Sequence, residues 1–204
     1  MISRPPWAAE PELSVFVNCA FDDEFRSSLD AIIFTCVHAG FLPWMAGSTG
    51  TIAVPRVERI LEGLMSCRYS VHDLTRYQGE GPENLSRFNM PLELGMAMAM
   101  RGAQPSPGRH DWMVMVPRGH IFREYISDLA GFDPAAHDGS QRGVALAVLR
   151  WLMTRPTVPA AVGPGDVLPK LPEYSARKLE LDEHWGDTTP WGRVIDLALE
   201  IARS

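Results

Sequence analysis

Short apolar runs alternate with longer amphipathic stretches along most of this chain. LSVFVNC (13–19), RYSVHDL (68–74) and DWMVMVP (111–117) predict strands, and the first is apolar enough to be buried on both faces. FLPWMAG (41–47) predicts an edge or irregular strand because it contains a proline. FDPAAHD (132–138) predicts a short fifth strand.

Helix-length segments separate these strands. The first begins with acidic residues and ends at Gly40, as helices commonly do. The predicted helices cover residues 21–40, 54–67, 86–100, 121–131, 140–155 and 191–204. Strands and helices that alternate at these lengths predict a parallel α/β sheet of about five strands with helices on both faces.

The chain divides into three parts by composition. Residues 1–12 are proline-rich and predict a loosely attached arm, whereas residues 13–155 hold the alternating pattern. Residues 156–204 predict a linker rich in Pro and Gly up to residue 172, followed by a C-terminal helical extension. That helix packs either on the domain or on a partner, and a homo-oligomer is one of the arrangements left open.

Composition narrows the function classes. The 204 residues are 46% hydrophobic and 22% charged, which is ordinary for a globular protein with a full core. The net charge of -6 argues against a nucleic-acid partner, although one or two arginines suffice for a small phosphorylated ligand. The N-terminus lacks the apolar core of a signal peptide, and no apolar run is long enough to cross a bilayer. We therefore expect a cytoplasmic protein without a membrane partner.

The cysteines and histidines give no sign of a metal or redox site. Cys19, Cys36 and Cys67 lie far apart, in or beside apolar segments, which is typical of buried free thiols. The sequence contains neither a CxxC pair nor an HExxH motif. We therefore predict no bound metal and no cofactor.

Polar residues cluster where a parallel sheet of this kind would bind ligands. Such sheets bind beyond the carboxyl ends of their strands, at the point where the strand order reverses. In a flavodoxin-like order that point lies between the first and third strands. Asn18, Phe21 and Asp22 follow the first strand, Asp73 ends the third, and the next helix brings Asn89 and Glu93 to the same candidate binding point. Asn18 is placed for a polar contact inside a pocket, Asp22 either caps the next helix or contacts a ligand hydroxyl, and Asp73 either caps a turn or binds substrate.

Glu93 is a single acid in an otherwise uncharged segment, FNMPLELGMAMAM (88–100). Its neighbours three and four places away, Asn89 among them, are uncharged, as is the opposite face, which predicts a helix buried all round. A carboxylate there must be paired or lie at a cavity, or its pKa rises. The alternative is an early acid that complements the helix dipole. Arg56 and Arg87 are the basic residues nearest the predicted mouth; each either holds a phosphate or carboxylate or is simply solvated.

Several segments together resemble the TIR-like and nucleoside 2-deoxyribosyltransferase-like group of bacterial proteins. The segments are VNCAFDDEFR (17–26), HDL (72–74), RFNMPLELGMAMA (87–99) and SDLAGFDPAAH (127–137). The resemblance covers residues 13–155. It implies a flavodoxin-like or Rossmann-like doubly wound domain that cleaves N-glycosidic bonds.

The resemblance also implies roles for individual residues. Glu93 corresponds to the catalytic glutamate of the ELG motif, and Asp73 to the aspartate that contacts the sugar or the leaving base. Phe21 and Asp22 correspond to residues that line the pocket. Deoxyribosyltransferases usually carry a D-x-G-T-type stretch before the glutamate, whereas this chain has LSRFNMP, which argues against base transfer between nucleosides.

The chemistry of these residue types suits cleavage at an anomeric carbon. A carboxylate beside C1′ can stabilise an oxocarbenium-like state or form a covalent adduct. No clear second acid is present, and NAD needs none because nicotinamide leaves as a neutral molecule. The hypothesis is a hydrolase for NAD or a related nucleotide or nucleoside, of the kind that the resemblance links to bacterial defence effectors, with NAD as substrate and not cofactor. The alternative is a non-catalytic nucleotide-binding or assembly module with the same fold.

Overall fold

The structure is a computed structural model of the chain. It describes residues 10–20, 22–47, 53–76, 88–104, 109–121, 124, 126–129, 131–159, 161–186 and 189–204. Most of the predicted N-terminal arm and most of the polar stretch before Glu93 lie outside these ranges.

Five parallel strands form one sheet in the order β2-β1-β3-β4-β5. The strands are β1 Ser14–Asn18, β2 Leu42–Trp44, β3 Tyr69–Asp73, β4 Asp111–Pro117 and β5 Ala135–His137. Each neighbouring pair is parallel, and β2 lies at an edge, as its proline predicted. The order and the helices on both faces confirm the predicted doubly wound α/β fold, with flavodoxin-like strand order.

Helices connect and follow the strands. Their bounds are α1 Arg26–His38, α2 Arg56–Ser66, α3 Asn89–Ala103, α4 Gln141–Leu152, α5 Pro164–Val167, α6 Leu171–Trp185 and α7 Trp191–Arg203, with 3₁₀ helices at Pro11–Leu13, Asp23–Phe25 and Ser127–Leu129. Gly40 follows α1 with a φ of 82°, the left-handed conformation that glycine supplies at helix ends, which confirms the predicted stop. Ser140 caps α4, since its side-chain oxygen accepts the N–H of Gly143 at 3.0 Å.

The two faces of the sheet carry cores of different size. On one face α1, α4 and α7 pack with inward residues of β1 and β3 in one continuous cluster that includes Val15 and Tyr69. On the other face α2 and α3 cover two smaller clusters, one around Phe16 and one around Val116. Glu93 lies on this second, more thinly covered face.

The last fifty residues pack on the domain. Composition predicted a linker and one helix there, whereas the structure has α5, α6 and α7. Leu171, Tyr174, Ile195 and Ile201 are buried in the same cluster as α1. The signal for α6 was weak because most of its positions are polar or charged and only a few, spaced three or four apart, are buried.

Candidate functional site

The carboxyl ends of β1 and β3 lie side by side. Asn18, the last residue of β1, is opposite His72, and β3 ends one residue later at Asp73. The chain leaves β1 for the β2 edge of the sheet and leaves β3 for the β4 side, so the strand order reverses between them. This is the place at which sheets of this order bind ligands.

α3 begins beside this point and carries Glu93 on its buried face. That face consists of Met90, Glu93, Leu94 and Ala97, which have the spacing of one side of a helix. Glu93 is 3% exposed, as its uncharged sequence neighbours predicted. The prediction that the whole circumference of this helix is buried was wrong. Leu92 is 59% exposed, because the sheet and α2 cover only part of the circumference of α3.

The Glu93 carboxylate is buried without full hydrogen bonding. Its Oε1 atom has no hydrogen-bond partner among the residues that the structure describes. Burial raises the pKa of Glu93 to about 7, and the positive charge of Arg56 opposes part of that rise. Perturbed carboxyl groups of this kind cluster at functional sites, where a ligand or reacting centre supplies the missing interaction.

Asn18 links the two strand ends to α3. Its Nδ2 atom donates to the carbonyl oxygen of Met90 at 2.9 Å and lies 3.0 Å from Nδ1 of His72. Asn18 is 3% exposed, so these hydrogen bonds lie in the interior. Asn89, by contrast, is exposed at the first position of α3, and Arg56 is exposed at the first position of α2.

Asp73 is buried, and its carboxylate is already engaged. Oδ1 accepts a hydrogen bond from the backbone N–H of Thr75 at 2.9 Å and a second from the Thr75 hydroxyl. Oδ2 accepts a weak one from Sγ of Cys19 at 3.7 Å. The bonds to Thr75 form the side-chain turn that was the structural alternative for this residue.

His137 is a neighbour of Asp73 that the sequence did not single out. It ends β5, and its Nε2 lies 3.8 Å from Oδ1 of Asp73 and 3.4 Å from the Thr75 hydroxyl. The backbone N–H of Gly139 donates to its Nδ1 at 3.1 Å, which places the proton of the neutral ring on Nε2, towards Asp73. Its position at a strand end, like that of Asp73, is the signal that would have identified it.

The acids after β1 pair with arginines. The capping alternative for Asp22 is not seen, since Asp22 precedes the 3₁₀ helix at Asp23–Phe25 without a side-chain cap bond and α1 has none either. Asp22 instead pairs with Arg76, whose guanidinium stacks 4.8 Å from the centre of the Phe25 ring. Asp23 pairs with Arg26 at 2.6 Å. The ion pair of Asp22 ties the segment after β1 to the segment after β3.

Phe21 and Arg87, two predicted pocket residues, lie outside the described residues. The other predicted residues fall into separate groups. Asn18 contacts α3 near Glu93, whereas Asp73 contacts Cys19, Thr75 and His137. No hydrogen bond or ion pair joins Glu93 to Asp73 in the described part of the chain.

The described residues contain no group of three or more His, Cys, Asp or Glu side chains arranged to hold a metal ion. Cys19, Cys36 and Cys67 are free and buried, as predicted. Within the same ranges, no helix has the length and apolar character needed to cross a membrane.

Comparison with known proteins leaves the site to be interpreted from its own chemistry. Neither family models nor curated proteins give a match to this chain. The resemblance to the TIR-like and deoxyribosyltransferase-like group therefore depends on the motifs around Asn18, Asp73 and Glu93.

Proposed function

We propose that this chain cleaves the N-glycosidic bond of NAD or a related nucleotide, with the Glu93 carboxylate beside C1′ of the ribose. The observation that carries the proposal is a carboxylate 3% exposed, with an oxygen that lacks a hydrogen-bond partner among the described residues, next to the strand-order reversal. The motif resemblance supports the same assignment and the defence role that it implies, and the proposal keeps the cytoplasmic location expected from the sequence.

In the proposed reaction the bond between C1′ and the base nitrogen breaks, and its electron pair leaves with the base. For NAD the positive charge of the pyridinium ring accepts that pair, so nicotinamide leaves neutral and needs no acid. Positive charge develops at C1′ and the ring oxygen, where ionised Glu93 stabilises it or bonds to C1′. Water then adds at C1′ and loses a proton to solvent; where Glu93 has bonded to C1′, that bond breaks and its electron pair returns to the carboxylate. Poor hydration of Glu93 strengthens its interaction with the developing cation.

Other residues have supporting parts in the proposal. Arg56, whose charge acts on Glu93, is placed at the start of α2 to meet a phosphate. Asp73 retains acceptor capacity for a ribose hydroxyl although Thr75 occupies part of Oδ1. Asn18 lies at the end of β1, beside the end of the strand that carries Asp73.

The test is release of free base, measured by mass spectrometry from NAD, NADP and a panel of nucleosides and nucleotides. We expect wild-type protein to release nicotinamide, and Glu93→Gln to reduce the rate by about 100-fold or more, because the neutral amide cannot balance the developing charge. We also expect the wild-type rate to rise from pH 6 to pH 8, since ionised Glu93 is the active form and its pKa is about 7.

Glu62→Gln is the matched control, since it makes the same change at an exposed position of α2 and should leave the rate unchanged. Equal rates for Glu93→Gln and wild type would refute the proposal.

A non-catalytic binding or assembly module is the second candidate, and exposed apolar side chains favour it. Met65 of α2 is 72% exposed, and Phe88 and Leu92 at the start of α3 are 77% and 59% exposed. Exposed apolar patches commonly mark interaction sites. Tight nucleotide binding without base release, together with a change of mass in sedimentation that Met65→Glu abolishes, would support this candidate over the enzyme.

A further inference from the structure

A chain of hydrogen bonds crosses the protein interior from the start of β4 to β3. Nδ1 of His110 lies 2.9 Å from the carbonyl oxygen of Cys67, so Nδ1 must donate. Nε2 of a neutral His110 then accepts, and the Ser70 hydroxyl donates to it at 2.8 Å. The Ser70 oxygen in turn accepts from Nε2 of His72 at 2.8 Å. Each proton position follows from the one before it.

Both histidines are suited to this neutral arrangement. His72 is fully buried and His110 is 1% exposed. Burial lowers the pKa of His72 to about 3, and burial also lowers the pKa of His110. A neutral His72 that donates through Nε2 presents Nδ1 as an acceptor.

This chain of hydrogen bonds ends at Asn18. Two hydrogen-bond partners require the same orientation of the Asn18 amide. Nδ1 of His72 accepts from Nδ2 of Asn18 at 3.0 Å, and the carbonyl of Met90 accepts from the same nitrogen at 2.9 Å. Both amide hydrogens are thereby used. The opposite orientation would place the Asn18 oxygen against two acceptors, so Oδ1 is the atom left to meet a ligand.

We propose that His110, Ser70 and His72 are positioning residues that fix the Asn18 amide with Oδ1 as a hydrogen-bond acceptor at the strand-order reversal, so that the site selects a ligand with a hydroxyl donor there. The ligand assignment rests on the proposed function, since a ribose supplies such hydroxyl groups. The same amide holds the carbonyl of Met90, one helical turn before Glu93, so the chain also fixes the start of α3.

The first test reads the protons directly and needs no substrate. Long-range ¹H–¹⁵N NMR at pH 7 distinguishes the two neutral tautomers of each histidine. We expect His72 to carry its proton on Nε2 and His110 to carry its proton on Nδ1. A His72 protonated on Nδ1, or cationic at pH 7, would overturn the proposal whatever the protein cleaves or binds.

The second test removes the Ser70 hydroxyl, the middle group of this chain of hydrogen bonds. In Ser70→Ala we expect His72 to populate both tautomers and the KM for NAD to rise about five- to tenfold, the loss of about one hydrogen bond, with a smaller change in kcat. Ser28→Ala, at a buried serine of α1, should change neither quantity.

A second variant breaks the chain of hydrogen bonds at a different residue and so checks the result of Ser70→Ala independently. His110→Asn keeps a donor for the carbonyl of Cys67 but removes the acceptor for Ser70, and it should shift the His72 tautomers in the same direction. Unchanged His72 tautomers in both folded variants would refute the positioning role. An unchanged KM together with altered His72 tautomers would refute the ligand assignment. Failure to cleave any nucleotide would refute the proposed function, and the tautomer result would then decide the positioning role by itself.

Discussion

Two buried carboxylates lie on opposite faces of the sheet, and the protein surrounds them differently. Asp30 of α1 is 2% exposed, and its Oδ1, which also lacks a hydrogen-bond partner among the described residues, lies 3.4 Å from the charged Nζ of Lys178. Glu93 of α3 is 3% exposed, and its Oε1 has no hydrogen-bond partner among the described residues. Burial raises the pKa of both groups, to about 6 for Asp30, where Lys178 opposes the rise, and to about 7 for Glu93.

The cation at Asp30 belongs to a network that attaches α6 to α1. Nζ of Lys178 donates to Oδ2 of Asp182 at 2.7 Å. Asp182 also accepts from Arg26 at 3.3 Å and from the Thr189 hydroxyl at 2.9 Å. Lys178 lies within ion-pair distance of both Asp30 and Asp182, and Asp182 accepts three hydrogen bonds, which is the pattern of a structural ion-pair network.

The comparison separates two uses of a buried acid. A paired carboxylate such as Asp30 contributes to the geometry of the fold. An incompletely paired one such as Glu93 costs stability at neutral pH, and such a cost is typical of functional sites. Three variants test this contrast between Asp30 and Glu93.

The largest effect is expected from removing the cation. Lys178→Met leaves Asp30 buried without its counter-charge, so we expect the free energy of unfolding in urea at pH 8 to fall by about 3–5 kcal/mol. The loss should be smaller at pH 5, where Asp30 takes up a proton and becomes neutral.

The matched control is the double variant Asp30→Asn with Lys178→Met, which removes both charges and should recover much of the loss. If Lys178→Met alone costs less than about 1 kcal/mol, the network does not hold α6 in the way described here.

Sequence reasoning found Glu93 and missed this network for the same physical reason. One acid among apolar neighbours is visible within a single segment. Lys178 and Asp182 look like an ordinary exposed i,i+4 pair, because their buried partner, Asp30, comes from a distant helix. The hydrophobic pattern of a segment predicts that a charged residue is buried only when the residues around it in the sequence are apolar.

The same distinction explains how much of the fold and the site was predictable. The strands and the parallel sheet were predicted from short apolar runs that alternate with longer amphipathic stretches. The predicted strand ends placed Asn18 and Asp73 at the same edge of the sheet. Ser70, His110 and His137 were missed, since each acquires its role through partners on other elements. α6 was missed because a mostly polar surface concealed its narrow apolar face.

The second effect has the opposite sign. Glu93→Gln removes a group whose pKa is raised by folding to about 7 from an ordinary value of 4.5. Between these values the folded protein keeps a proton that the unfolded chain has lost, so the stability associated with Glu93 falls as the pH rises from about 4.5 to about 7. We therefore expect Glu93→Gln to stabilise the protein by about 1–3 kcal/mol at pH 8 and to have little effect at pH 4.5.

Urea unfolding at the two pH values measures this effect, with the exposed Glu62→Gln as the control expected to do nothing at either. A destabilisation at pH 8 would mean that Glu93 is paired after all, and the contrast with Asp30 would disappear.

The smallest effect is expected one residue before Lys178. Nη1 of Arg177 lies 2.9 Å from Oε1 of Glu200, a distance similar to that between Lys178 and Asp182, but Arg177 is partly exposed and Glu200 is largely exposed. Solvent screens such a pair, so Arg177→Met should leave the urea midpoint within experimental error at pH 8, and added salt should not change that result. Arg177→Met and Lys178→Met replace consecutive basic residues of α6 by methionine. The two ion pairs that they remove differ mainly in burial. A loss for Arg177→Met as large as that for Lys178→Met would show that burial does not decide the strength of these ion pairs, and the interpretation of Glu93 as a costly buried charge would lose its basis.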